Sequence, residues 1–67
     1  MDKFIERLKE LRIEKHLSQI QLAKETGLSS SAISFWEAGE RQPSAQAVIT
    51  LAKYFNVSTD YLLGLED

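Results

Sequence analysis

The chain has no cysteine and only one histidine among its 67 residues. Without cysteine there can be no disulfide and no thiolate metal site. His16 has no cluster of ligands around it in the sequence, so no metal site is expected, and nothing calls for a cofactor. No apolar run approaches the roughly 20 residues of a membrane span. The N-terminal stretch MDKFIERLKE is charged and periodic, unlike a signal peptide. A reduced, cytoplasmic setting away from membranes is therefore expected. No segment alternates with period two, which removes the usual signature of a half-buried strand, and no internal repeat appears. A strong excess of positive charge is also missing: eight Lys and Arg stand against ten Asp and Glu, for a net charge of −2 and a pI near 5.3. That balance argues against a strong nonspecific polyanion binder. At this length the chain forms one domain, and such domains bury only about 60% of their unfolded surface. With no covalent or metal staple, stability has to come from well-formed helices or a partner chain.

Helices are what the sequence does contain. Apolar spacing predicts five, giving an all-α bundle. The first covers about 3–15 with Asp2 as N-cap; Phe4, Leu8 and Leu11 share a face, Ile5 flanks it and Ile13 points away. The second covers 19–26. Ser18 caps it, Gln21 completes a capping box, and Leu17 can staple onto Leu22. Gly27 ends it in the left-handed conformation. The third covers 30–37, capped by Ser29, with Leu28 stapling onto Ile33 and Gly39 closing the end. Pro43 biases Gln42 away from helix. Ser44 caps the fourth helix, 45–55, whose expected buried stripe is Ala45, Val48, Ile49, Ala52 and Phe55, with Asn56 as C-terminal cap. Ser58 caps the short fifth helix, 59–63, Val57 staples onto Leu62, and Gly64 stops it. Each serine cap contributes about 1 kcal/mol. Four of them are a large share of the roughly 5–15 kcal/mol that holds a small domain folded.

The stretch from Ser18 to Gly39 carries the functional signal. Two eight-residue helices are joined by a tight turn at Gly27, and Ala23, four residues earlier, is small enough to let them approach. Leu22, Leu28, Ile33 and Trp36 are expected to point inward and fix the crossing. This helix-turn-helix geometry places its second helix in the major groove of DNA and its first across the backbone. The outer face of the third helix then carries Ser29, Ser30, Ser31, Ser34 and Phe35. Serine hydroxyls both donate and accept, so they suit base edges or phosphates. Phe35 has two readings: contact with a thymine methyl group, or burial against Trp36 or the first helix.

The stretches LSQIQLAKETGLSSSAISFWEAGERQPS and LAKYFNVSTDYLLG resemble the Cro and phage-repressor type of helix-turn-helix domain, the xenobiotic response element regulator family. The resemblance runs from about Arg7 to Gly64. It implies a compact five-helix bundle like that of the lambda repressor DNA-binding domain. It also implies a transcriptional regulator, here expected to be a repressor, that binds a double-stranded operator as a homodimer. Residue by residue, it implies that Gln19 contacts a phosphate and braces the recognition helix. Ser29, Ser30, Ser31, Ser34 and Phe35 match base-facing positions. Arg41 and Gln42 match a loop that touches the DNA backbone. Arg12 and Glu37 match a partly buried structural salt bridge. Candidate dimer surfaces are the fifth helix and the loops beside it, including Tyr61, Leu65 and Tyr54; the other reading is that these aromatics only cap the core.

The chain departs from the family in charge. Many relatives carry Arg or Lys where this chain has Ser30, Phe35 and Ala38, and Lys where it has Glu40. Between positions 18 and 43, Lys24 and Arg41 face Glu25, Glu37 and Glu40. DNA binding with little counterion release is the reading that reconciles geometry and charge. The alternative is a protein-interaction module that has lost most of its DNA affinity. An enzyme fits poorly, because no serine has an adjacent base and no carboxylates are paired at a plausible site. No small-molecule site is evident either.

Overall fold

Five helices, α1 (Asp2–Glu14), α2 (Gln19–Thr26), α3 (Ser30–Glu37), α4 (Ala45–Phe55) and α5 (Thr59–Leu63), follow one another in the computed structural model, which describes residues 2–67. Every helix after the first starts at a serine with extended backbone. The Ser18, Ser29, Ser44 and Ser58 hydroxyl oxygens accept the N–H groups of Gln21, Ala32, Ala47 and Tyr61 at 2.9–3.2 Å. At α2 the capping box is complete, because the Ser18 N–H donates back to Gln21 Oε1 at 2.8 Å. These caps satisfy donors that a short helix would otherwise leave bare.

The helix ends are as well defined as the starts. The Gly27 N–H donates to the Ala23 carbonyl at 2.8 Å with φ +76°, and the next N–H, on Leu28, is taken by the Thr26 hydroxyl. The same hydroxyl donates to the Leu22 carbonyl at 2.8 Å, so Thr26 ties both sides of the turn between α2 and α3. Helix α3 ends in a paired motif in which the Gly39 and Glu40 N–H groups reach back to the Trp36 and Phe35 carbonyls.

Two expectations need correction. Asp2 is itself the first helical residue, not a cap, and Lys15 falls outside α1 because His16 turns the chain into the left-handed region at φ +57°. In α4 the buried residues are Ala47, Val48, Leu51, Ala52 and Phe55, while Ala45 and Ile49 are exposed. The stripe is rotated because α4 packs against both α5 and α2, and the face turned to the core is the one that carries 47, 48, 51, 52 and 55.

The core gathers Phe4 and Leu8 of α1, Leu22 and Ala23 of α2, Ile33 and Trp36 of α3, the α4 stripe, and Leu62 of α5. Phe4 meets Trp36 edge to face, with ring centres 6.4 Å apart. Ala23 is buried between α2 and its neighbours, so a larger side chain there would overfill the junction. Leu17, Leu28 and Val57, the residues before three of the caps, pack half-buried against the core. At the far end, Arg7 clasps the C-terminal segment. Its guanidinium lies 4.2 Å over the Tyr61 ring and donates to the Tyr61 and Glu66 carbonyls.

Candidate nucleic-acid interface

Helix α3 divides cleanly into two faces. Ile33, Trp36 and Glu37 are buried, while Ser31, Ser34 and Phe35 are exposed and Ser30 is half-buried. A carboxylate on the inner face has to be matched. Arg12 of α1 supplies a fork, with Nε at 2.8 Å from Glu37 Oε2 and Nη2 at 2.9 Å from Oε1. Gln19 Nε2 adds a third donor to Oε1 at 3.1 Å, and Arg12 Nη1 also holds the Leu17 carbonyl at 2.9 Å. One buried carboxylate therefore joins α1, the start of α2 and the end of α3. The hydrogen bond to Glu37 holds the Arg12 guanidinium above its usual pKa despite partial burial.

This network positions the outer surface. Gln19, Ile20, Ser30, Ser31, Ser34 and Phe35 line a shallow concavity of about 310 Å³ between α2 and α3. Its polar groups are side-chain hydroxyls and one amide. Ser29 is the exception among the expected base-facing residues: its hydroxyl oxygen is engaged in capping, which leaves its proton free to donate. Phe35 is exposed at 36%, so the core reading of this residue is not what the structure adopts. Its ring instead carries the Arg41 guanidinium, 4.6 Å from its centre. Gln42 is exposed in the loop before α4, beside Arg41.

Charge on this face is better balanced than the sequence suggested. Glu37 is withdrawn into its pair with Arg12, leaving Lys24 and Arg41 against Glu25 and Glu40. Glu25 accepts a hydrogen bond from the Tyr54 hydroxyl at 3.4 Å. Burial, with the nearby Glu25 carboxylate second, pushes the Tyr54 hydroxyl above its usual pKa.

One residue escaped sequence reasoning. Ile20 is 61% exposed at the edge of the concavity. Its signal was present, because it lies off the stripe that carries Leu22 and Ala23.

Two short helices locked across a left-handed turn, with the second presenting a polar outer face, define a helix-turn-helix domain. The helix-turn-helix family model matches residues 8–62, and the chain belongs to that family, in its Cro and phage-repressor branch. It is 41% identical over 64 residues to the HTH-type transcriptional activator BcrR of Enterococcus faecalis, covering 96% of this chain and 31% of BcrR. It is 38% identical over 58 residues to repressor protein C2 of Salmonella phage P22, covering 87% of this chain and 27% of C2. The chain thus spans about a third or less of these two relatives. The crystal structure of the restriction-modification controller protein C.AhdI from Aeromonas hydrophila superposes with a TM-score of 0.80 at 38% identity, covering 90% of this chain and 91% of that one. Among the described residues no helix is long and apolar enough to cross a membrane, and no group of acidic or histidine side chains could hold a metal ion.

Proposed function

We propose that this chain is a sequence-specific DNA-binding domain of a transcriptional regulator, working in the cytoplasm and acting as a repressor where its operator overlaps a promoter. The observation that carries this is the outer face of α3: small hydroxyl side chains and one ring, exposed together, on a helix whose inner face is locked by core packing and a buried ion pair. Ser30, Ser31 and Ser34 meet base edges in the major groove. Gln19 and the first N–H groups of α2 meet the backbone, and Arg41 and Gln42 meet it on the other side of α3. Enrichment of duplexes from a random pool tests the reading. A defined half-site should emerge, and Ser30→Ala and Ser34→Ala should each weaken binding to it without lowering the melting temperature. Enrichment of no duplex at low salt, with recovery of a protein partner from a pull-down, would instead favour an interaction module.

The domain is read as a homodimer. Each copy carries one helix of the α3 kind, and half-sites one helical turn apart lie about 34 Å from centre to centre, so reading two takes two copies. Both aromatic residues weighed for the dimer surface are engaged inside the chain. Tyr61 lies under Arg7, and Tyr54 packs on Phe55 and under the Lys15 ammonium. Leu65 is exposed. The surface that better fits a second copy is a groove of about 360 Å³ between α4 and α5, lined by Pro43, Ala45, Val48, Ile49, Thr59 and Leu63, with Gln42 at its edge. A two-fold contact sets the same patch of each copy against the other, and this groove has no charge to repel itself. It also adjoins the loop beside α3. Sedimentation should show a dimer that Ile49→Glu converts to a monomer with an unchanged melting profile at low concentration. A dimer that survives this change would move the interface elsewhere.

A further inference from the structure

Arg41 is the only cation between Glu25 and Ala52, and it stands six residues after Phe35 in the loop that leaves α3. Its guanidinium carbon lies over the Phe35 ring, 4.6 Å from the ring centre. Among the described residues the only ion pair joins Arg12 to Glu37, so no carboxylate occupies the Arg41 fork. A cation–π contact holds a guanidinium through its charge and does not use up all five of its N–H donors. A long arginine that would otherwise sample many rotamers is thereby held at one edge of the α3 surface.

We propose that Phe35 is a positioning residue. Its ring is the platform that presents the Arg41 fork to a backbone phosphate of the DNA, and it does not itself read a thymine methyl group. This rests on the DNA-binding reading above. It also accounts for an aromatic residue on a face poor in positive charge. One cation held in place does work that a mobile lysine would do only part of the time. The covered ring face is unavailable to a base, because Arg41 already lies over it.

The test is a double-mutant cycle on the duplex that the wild-type chain enriches from a random pool, followed by fluorescence anisotropy across a range of salt. Phe35→Leu keeps an apolar side chain but loses the π face. It should weaken binding about 3-fold, in the range of an exposed cation–π contact, and flatten the salt dependence toward that of Arg41→Gln. Arg41→Gln should reduce the slope of log K against log salt by about 0.9, one phosphate contact. In the Arg41→Gln background, Phe35→Leu should change affinity by less than 2-fold. Phe35→Tyr keeps the platform and should restore both affinity and slope. Additive losses, with Phe35→Leu as costly without Arg41 as with it, would overturn the proposal, because the ring would then be touching DNA on its own. If Phe35→Leu lowers the melting temperature, Phe35→Met carries the same cycle with the same two outcomes. Failure to enrich any duplex defeats the DNA-binding reading itself, whereas additivity defeats this proposal alone.

Discussion

Glu37 is the single buried charged residue among those described, and its surroundings explain how that is tolerated. Both carboxylate oxygens are satisfied, by two Arg12 nitrogens and the Gln19 amide, and among the described residues no buried side-chain polar atom lacks a partner. Glu37→Ala strands Arg12, whose side chain is largely enclosed, and should cost about 3 kcal/mol in urea denaturation. Replacing both partners with apolar residues, Arg12→Met with Glu37→Leu, should cost much less, because no charge is left unpaired. Equal losses in the single and double variants would show that the pair itself contributes the stability. Part of this was legible in the sequence: Glu37 lies four residues after Ile33, on the inner stripe of α3. Its partner is 25 residues away, a separation that periodicity cannot bridge and only the family resemblance supplied. The Arg41 stack on Phe35 was not legible at all, since it depends on the path of a loop whose conformation no local rule dictates.

Helix boundaries were legible wherever a side chain announces them. The four serine caps, Gly27, Gly64 and Asn56 all stand where the sequence placed them, because capping chemistry is local. His16 was missed. It occupies the left-handed position after α1, as Asn56 does after α4, and its N–H and that of Leu17 reach back to the Ile13 and Arg12 carbonyls. Histidine visits this region with a steric cost that glycine avoids. His16→Gly should therefore stabilise by about 1 kcal/mol, raising the melting temperature by roughly 4–8 °C. His16→Val should lower it, and a gain with valine would contradict the strained-backbone account. The α4 stripe went wrong for a different reason. In AQAVITLAKYF two overlapping faces satisfy helical spacing, one through 45, 48, 49, 52 and 55 and the other through 47, 48, 51, 52 and 55. Sequence period cannot choose between them; the positions of α2 and α5 do. Gly64 shows the same dependence on neighbours. Beyond its positive φ, a Cβ there would collide with the Lys3 side chain of α1, so Gly64→Ala should loosen the junction between the chain ends.

Taken together, the domain joins a well-specified scaffold to a face with little net charge. Burial of Glu37 removes the carboxylate that made that face look acidic, and the remaining exposed charges cancel. In the proposed reading, DNA meets hydroxyls, one arginine held over a ring, and helix N-termini whose first N–H groups carry partial positive charge. Such a surface positions itself through directed hydrogen bonds more than through a cloud of released counterions. The most direct test is the salt dependence of binding to an enriched duplex, compared with an unrelated duplex of equal length. About two to four phosphates neutralised per protomer predict a slope of log K on log salt of roughly −2 to −4 per protomer, with clear preference for the enriched duplex throughout. A slope near −9 per protomer, or equal affinity for both duplexes, would contradict the account.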